Sequence, residues 1–498
     1  MLNLRTSVLL FSFFLTASSA AAAEGQRVEL PFRQGVRMLL ENNLQVKASR
    51  LDPRVAAARV LSAQGAFDPE LFGSFRRGDA SMPLSARSSV AAGGLRSVES
   101  ESYSFNAGVS GTTGLGTEYR FEVRDDWTAD TFSGFEFEYE SFTGVTVRQP
   151  LLRGLGNGER LALNVALRDR SASELRFRQF LTDALSEYAG AWWALMSARG
   201  ALDVRRESLA LAETLLDVNR KKLEAGALSR LELVQTESAA ASRREDLLVA
   251  QKAVQDSERR MKELIADDAY SISDDELVPT GDGALRPADG SAAEAVSAAL
   301  SMRPDYMELR TLLERERIVL KYAANQAWPE VDLEASYGFN GLGDSFTRSF
   351  KAIESNPEWS VGVIFSYPLG NRAAKGELET ARLQTTQAVL RLKRLEQEIV
   401  LRVKGSLVQL ETDSRRLEAA DEAVRLAKET LDAEERKLEA GRSTTFNVLR
   451  IQEDLLLARL KRLDAVSDYN TSLVAFYREK GTLLEELGVR ITDLEEVE

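Results

Sequence analysis

Apolar residues recur at every seventh position along two long stretches of the chain. Leu181, Tyr188, Leu195, Leu202, Leu209, Leu216 and Leu223 form one ladder, and Val403, Leu410, Leu417, Val424, Leu431 and Leu438 form the other. A heptad stripe sustained over so many turns predicts helices packed as in a coiled coil, with one seam facing another helix. Both ladders stop three residues before a glycine, Gly226 and Gly441, inside the same pentapeptide Lys-Leu-Glu-Ala-Gly. Glycine there supplies the left-handed backbone that ends a helix. The pattern predicts descending helices over about 158–224 and 372–440, and returning helices over about 229–266 and 443–485. Shorter helices are expected over about 33–65 and 292–326. At 1.5 Å per residue the descents run about 100 Å, the returns some 55–65 Å and the short helices roughly 50 Å. One return plus one short helix matches one descent, which suits a long cylinder with short helices stacked end to end beside unbroken ones.

A second periodicity, of two, marks the strands. Val331, Leu333, Ala335, Tyr337 and Phe339 alternate with Asp332, Glu334, Ser336, Gly338 and Asn340. Val361, Val363, Phe365 and Tyr367 resume the pattern after a polar loop at 341–358. Earlier in the chain Tyr103, Phe105, Ala107 and Val109 alternate, as do Tyr119, Phe121 and Val123 against Glu118, Arg120, Glu122 and Arg124. Such strands have one apolar and one polar face and a length near that of a tilted membrane strand. On period alone a half-buried soluble sheet fits equally well.

The two kinds of element occur twice, in the same order. Phe67-Asp68-Pro69 and Trp328-Pro329 each lead into a strand, Gln149-Pro150-Leu151 and Tyr367-Pro368-Leu369 each close a strand region, and the two Leu-Glu-Ala-Gly turns follow. Pro150 to Gly226 spans 76 residues and Pro368 to Gly441 spans 73. Ordered landmarks at matched spacing indicate an internal duplication. The expected organisation is a signal peptide (1–23), a first repeat (24–266, strands about 67–150), an irregular equatorial segment (267–291, with a domain linker as the alternative), a second repeat (292–486, strands about 329–368) and a C-terminal tail (487–498). The copies differ in their strand regions: Pro69 to Pro150 is 81 residues, Pro329 to Pro368 only 39. The surplus holds a candidate hairpin, 102–111 with 117–125, that either joins the sheet or projects from it. The Ser-, Ala-, Gly- and Arg-rich stretch 77–101 reads as a mobile loop.

Composition narrows the chemistry. Among 498 residues there is no cysteine and no histidine, and the formal net charge is -13. Disulfides, thiol catalysis and cysteine-ligated metal are excluded, and the usual general base and zinc ligand are missing. An acidic chain offers no basic field for nucleic acid. No catalytic residue, metal ligand or cofactor site is expected. At the N-terminus, Arg5, the apolar run Val8–Thr16 and the small residues Ala21-Ala22-Ala23 read as a secretory signal with Glu24 as the mature start. No later stretch carries 18 consecutive apolar residues, so an exported chain of this kind is either soluble or a β-barrel.

A signal peptide followed by duplicated strands and long helical hairpins resembles the TolC family of outer-membrane efflux proteins. The echoes are Phe67-Asp68-Pro69, Gln149-Pro150-Leu151-Leu152-Arg153-Gly154, Arg303-Pro304-Asp305 and the two Leu-Glu-Ala-Gly turns. The resemblance implies an α+β membrane protein whose homotrimer forms one outer-membrane β-barrel in contact with lipid and one periplasmic α-helical barrel. With about four strands per chain, three chains bury every strand edge. Its implied partners are a periplasmic membrane-fusion adaptor and an inner-membrane transporter, and its implied role is passive conduction in tripartite efflux or type I secretion. The resemblance also assigns adaptor contact to the tips, Ala225, Gly226, Ala227 and Leu228 with Ala440, Gly441, Arg442 and Ser443. Well-known members narrow the pore with an acidic ring after the second tip. The matching positions here are Asn447 and Arg450, with Glu232 and Gln235 in the first repeat, so the acidic ring is not kept. An arginine there favours anions or pairs with a carboxylate such as Glu453; a solvated surface role fits it as well.

Two other readings compete. A soluble periplasmic coiled-coil adaptor or scaffold shares the heptads but has no need of apolar strand faces in both repeats. An exported hydrolase working through carboxylates needs a compact domain with a pocket, and no region has that pattern.

Overall fold

The computed structural model describes residues 27–489, apart from 132–135, 157, 268–274, 282, 284, 289 and 354–355. The expected signal peptide and nearly all of the C-terminal tail lie outside those residues. The chain opens with β1 (Arg27–Pro31), α1 (Phe32–Asn42), α2 (Leu44–Gln64), β2 (Glu70–Pro83), α3 (Ala86–Ala91), β3 (Ser97–Thr112), β4 (Glu118–Asp130) and β5 (Glu138–Pro150). It continues through α4 (Gly158–Glu224), α5 (Arg230–Ile265), β6 (Glu276–Thr280), α6 (Ala292–Met302) and α7 (Pro304–Gln326). The second strand region and hairpin follow as β7 (Glu330–Gly343), α8 (Phe346–Ala352), β8 (Pro357–Ser366), α9 (Arg372–Glu439), α10 (Thr445–Lys480) and α11 (Leu483–Glu486).

The duplication is visible in helix lengths. α4 and α9 have 67 and 68 residues, and α5 and α10 have 36 each. The short helices anticipated over 33–65 and 292–326 are instead each broken in two. α1 and α6 have 11 residues, and α2 and α7 have 21 and 23. The breaks fall at Asn43 and Arg303, whose backbones leave the helix at φ/ψ of -58/120° and -65/124°. Different chemistry produces the same bend. The Asn43 side chain accepts from the backbone N–H of Gln45 (2.9 Å) and Val46 (3.0 Å), which restarts the helix. Arg303 precedes Pro304, and a residue before proline is driven out of the helical region.

Two compact units result, and neither coincides with a sequence repeat. One comprises the described part of Met1–Lys47 with Ala184–Ala288 and Gln409–Ala475; the other comprises Ala48–Asp183, Asp289–Val408 and the described chain from Phe476. The long helices α4 and α9 contribute residues to both.

The first unit is built on the heptad ladders. Tyr188, Leu195, Leu202, Leu216, Leu410 and Leu431 are buried in it, and Leu181 and Val403 are the buried ladder positions of the second unit. Within the first unit the core is aromatic around Trp192 and Tyr188. The Trp192 indole N–H donates to the carbonyl of Leu30 (3.2 Å) and the Tyr188 hydroxyl to that of Phe32 (3.0 Å). Burial pushes the Tyr188 phenol far above its ordinary pKa, so it stays a neutral donor. The equatorial segment is not wholly irregular: β6 lies inside it and pairs in parallel with β1, from Arg27 opposite Glu276 to Pro31 opposite Thr280. Arg199 donates to Glu276 (2.7 Å) and to Glu258, fastening the pair to the helices.

The second unit carries one antiparallel sheet in the order β2-β3-β4-β5-β7-β8. The candidate hairpin 102–111/117–125 is real and joins this sheet as β3 and β4. The stretch 77–101 is not a loop. Its start extends β2 and its end begins β3, paired from Gly78 opposite Ser102 to Pro83 opposite Ser97, with α3 between. Serine and glycine there hide the alternation that marks a strand, while the ladder hydrogen bonds depend only on the backbone. Among the described residues this sheet thus has six strands, not about four. The loop anticipated at 341–358 contains α8, which lies on β7 and β5. Its Ser349 hydroxyl meets that of Ser141 (2.5 Å), and Ser141 donates to the buried Asp125 carboxylate (2.6 Å).

Candidate functional site

Within the first unit the two tips are built identically. At the first, Ala227 N–H donates to the Lys222 carbonyl (2.8 Å) and Gly226 N–H to that of Leu223 (2.9 Å). At the second, Arg442 N–H donates to Lys437 (2.7 Å) and Gly441 N–H to Leu438 (3.0 Å). Both are Schellman closures, and both glycines take the left-handed φ that closure needs, 74° and 67°. Ala225, Gly226, Ala227, Ala440, Gly441 and Arg442 are exposed, while Leu228 and Ser443 are half-buried. Apolar side chains also stand in solvent close by: Leu231 at 68% exposure, Val234 at 50% and Phe446 at 56%.

The four residues anticipated at the constriction have different surroundings. Glu232 sits at the N-terminal turn of α5 in a capping box, its carboxylate accepting from the Ser229 N–H (3.1 Å) while the Ser229 hydroxyl accepts from the Glu232 N–H (3.3 Å). Gln235 and Arg450 are exposed and Asn447 is half-buried. The charge of Arg450 acts on Glu434 of α9. Glu434 accepts from the Ser443 hydroxyl (2.5 Å) and from the Lys437 ammonium (3.0 Å). The Ser443 hydrogen bond is the main reason its carboxyl is held below the usual range, with Lys437 and Arg450 adding to it.

Glu434 and Asn219, each seven residues before its glycine, went unnoticed in the sequence because the heptad count sees only apolar positions. Asn219, buried, donates to the Thr236 hydroxyl (2.8 Å) and ties α4 to α5. Beside it Ala212, Leu216 and Ala240 form a small apolar cluster; in the second hairpin the counterpart is larger, Leu431, Val448, Ile451 and Leu455. Arg243 joins the two hairpins. Buried, with its pKa drawn down by desolvation, it donates to the Ser208 carbonyl (3.3 Å) and the Gln452 side chain (3.2 Å).

In the second unit the sheet sorts its side chains by face. Cross-strand register places Val109, Phe121, Val145 and Tyr337 in one row, and Tyr103, Trp127 and Tyr139 in another on the same face. Tyr103 stacks on Trp127 at 5.4 Å and Trp127 on Tyr139 at 5.7 Å, a continuous aromatic band over three strands. Away from the end where α8 covers Ser141 and Asp125, this face is open: Phe75 is 63% exposed, Trp359 72%, Val363 66% and Phe365 68%. The opposite face carries Glu118, Arg120, Glu122, Arg124, Arg148 and Glu334. Arg148 donates to Asp332 (2.6 Å) and Glu330 (3.1 Å), and Arg153 pairs with Glu330. Apolar side chains on an exposed face and ion pairs on the other invert what water demands of a soluble sheet. An outer apolar band with aromatic girdles and a polar interior is the pattern of a membrane β-barrel wall.

A sequence profile of the family described as outer membrane efflux protein matches residues 121–267 and 295–482. Among characterised proteins the chain is 24% identical over 326 residues to the pyoverdine export outer membrane protein OpmQ of Pseudomonas aeruginosa, covering 62% of this chain and 65% of that one. It is 22% identical over 318 residues to the outer membrane efflux protein BepC of Brucella suis, covering 62% and 66%. The matched stretch thus spans just under two thirds of these relatives. Among solved structures, the CmeC outer membrane channel of Campylobacter jejuni superposes with a TM-score of 0.67 at 16% identity, over 93% of this chain and 90% of that one. The MtrE outer membrane channel of Neisseria gonorrhoeae gives 0.64 at 15%, over 91% and 89%. The fold of this chain is theirs.

Proposed function

This chain belongs to the outer membrane efflux protein family, and from that premise we propose that it is the outer-membrane channel of a tripartite export machine. The observation that carries the reading is the six-stranded sheet whose apolar, aromatic face is bare outside the patch under α8. Such a face is stable against lipid, and the ladder hydrogen bonds satisfy the backbone there. A soluble periplasmic scaffold has no use for it, and that reading is set aside.

In this assignment the sheet lies in the outer membrane and the helical hairpins stand in the periplasm. Three chains assemble, as the family resemblance implies, and pair edge to edge, because one six-stranded sheet leaves two open edges. The tips, Ala225 to Leu228 and Ala440 to Ser443, receive a periplasmic membrane-fusion adaptor that links the channel to an inner-membrane transporter. Their exposure and the neighbouring Leu231, Val234 and Phe446 support that role. Arg450 and Gln235, exposed after the tips, face the conduit. Arg450 gives its narrow end a positive element in place of an acidic ring, whereas Glu232 serves to hold its helix start. Cargo is an export substrate, small molecule or polypeptide. It moves down its gradient as the tip helices part on engagement with adaptor and pump. No covalent step is assigned to any residue, and no cofactor is needed.

Fractionation tests the assignment. The protein is expected in detergent-solubilised outer membranes, migrating as a heat-dissociable trimer and forming conducting pores in planar bilayers. Recovery from the soluble periplasm without pore activity would refute it.

A further inference from the structure

The strand count has a consequence for the width of the exit. Relative to the approximately four strands per chain that the duplication suggested, β3 and β4 add a full hairpin inside the sheet, flanked by β2 and β5. They are not an appendage: β3 pairs with β2 from Glu70 opposite Ser110 to Pro83 opposite Ser97, and β4 with β5 from Glu118 opposite Arg148 to Thr128 opposite Glu138. Both carry the same two faces as the rest of the sheet, so both belong to a barrel wall.

The edges of this sheet are β2 and β8, and their outward-facing side chains are bare, with Leu71 81% exposed and Val361 63%. Neither edge can remain unpaired in hydrocarbon, where each unsatisfied N–H or C=O costs several kcal/mol. The two edges do not pair with each other, and a six-stranded cylinder falls below the eight strands of the smallest membrane barrels. A second copy of the chain is therefore the occupant. Every neighbouring pair in the sheet is antiparallel, so with six strands β2 and β8 run in opposite senses. Joining β8 of one copy to β2 of the next continues the alternation without a break.

The sheet also has the slant that closure requires. Followed across the register, the row that begins at Glu70, the first residue of β2, passes Ser110, Arg120, Thr146 and Ser336 and reaches Ser360. Ser360 lies six residues before Ser366, the end of β8. That climb is about 20 Å along the strands against about 24 Å across five pairings, a tilt of about 40°. Membrane barrels tilt by about 35–45°.

We propose that β8 of each chain pairs antiparallel with β2 of the next and that three copies close an eighteen-stranded barrel. This rests on the trimeric channel assignment and deepens it. At a 40° tilt, eighteen strands give a backbone cylinder about 36 Å across, where twelve give about 24 Å. With about 5 Å of side chains on the inner wall, the bore is about 26 Å rather than about 14 Å. A helix about 10–12 Å wide passes the wider bore with its hydration, so the barrel imposes no size limit on small molecules or on an unfolded or helical polypeptide. Selection by size then belongs to the helical end alone.

Two measurements test this. Electron cryo-microscopy of the unmodified trimer in lipid nanodiscs is expected to resolve eighteen strands. A trimer with twelve wall strands and β3–β4 outside the wall overturns the inference while leaving the channel assignment standing; absence of any trimer or pore activity removes both. Separately, because the chain has no cysteine, Ser360→Cys can be combined with Ser74→Cys, Arg76→Cys or Gly78→Cys. Oxidation is expected to yield covalent trimers in at least one combination. Disulfides confined to single chains, or none in any combination in a trimer that assembles, overturn the β8–β2 seam.

Discussion

Gly35→Ala makes a severe test of how the first unit is packed. Gly35 is buried in α1, and a β-carbon built there would lie 1.9 Å from the Tyr188 hydroxyl oxygen, 2.7 Å from Cζ and 2.9 Å from Cε2. Two effects oppose each other. Alanine in place of glycine within a helix gains about 1 kcal/mol of propensity. Against that, the Tyr188 ring must move. Its hydroxyl then gives up the hydrogen bond to the Phe32 carbonyl, which costs about 1–3 kcal/mol with both groups buried. Forcing an extra methyl into a filled core costs about 1–3 kcal/mol more. Phe32, 5.5 Å from the Tyr188 ring and itself 5.3 Å from Trp192, leaves the ring little room. The clash wins, for a net loss of about 1–5 kcal/mol. Thermal unfolding of the detergent-solubilised protein, followed by the helical circular dichroism signal, is the assay. Tyr188→Phe removes the atom nearest the new methyl, so the double variant is expected to recover part of the Gly35→Ala loss. A single variant as stable as the parent, or a double variant whose losses simply add, would refute this account of the packing.

Other predictions follow from the tips and the sheet. Gly226→Ala or Gly441→Ala forces alanine into left-handed backbone at a cost of about 1–2 kcal/mol, and amide hydrogen exchange should quicken at the altered tip but not in β2–β5. Glu434 titrates below its unfolded value, so its stabilising contribution is present above that value and is lost as pH falls through the lower folded one. Ser443→Ala should move the acid loosening of the second tip to higher pH, and an exchange-versus-pH profile unchanged by the substitution counts against the assignment. Arg148→Gln strands the Asp332 carboxylate, whose side chain is only 5% exposed. The assembly should therefore dissociate at lower temperature on unheated gels, and adding Asp332→Asn should restore much of the loss. Arg450→Glu should shift the reversal potential of single channels toward cations; an unaltered current–voltage relation removes Arg450 from the conduit.

What was legible in the sequence divides along physical lines. The 67- and 68-residue helices announced themselves because Leu181 through Leu223 and Val403 through Leu438 repeat one spacing over many turns, and the two Schellman glycines punctuate them. Strands β4 and β7 were equally plain, since one face meets an apolar medium and the other a polar one. The ends of β2 and β3 were hidden because Gly78, Ser100 and Ser102 carry no face preference; their pairing is written in backbone register alone. β1 and β6, five residues each, are too short to establish a period. The breaks at Asn43 and Arg303 were readable from local chemistry, a capping asparagine and a pre-proline arginine, yet helix-forming residues on both sides of each mask a one-residue break. At the tips, the backbone closures followed from glycine placement. The Asn219–Thr236 and Glu434–Ser443 contacts needed the fold, because each joins side chains from opposite sides of a turn.

The small parallel pair of β1 with β6 bears on how the chain is made. Arg27 faces Glu276 across nearly 250 intervening residues, so this pairing is among the latest contacts of the first half to become possible. Closing so long a loop is entropically costly and slow. Once β6 has emerged, though, everything needed to dock Leu30 under Trp192 already exists. The first repeat can therefore fasten its own amino end before α6 is reached, while the unit around it is completed only when residues 409–475 of the second repeat arrive.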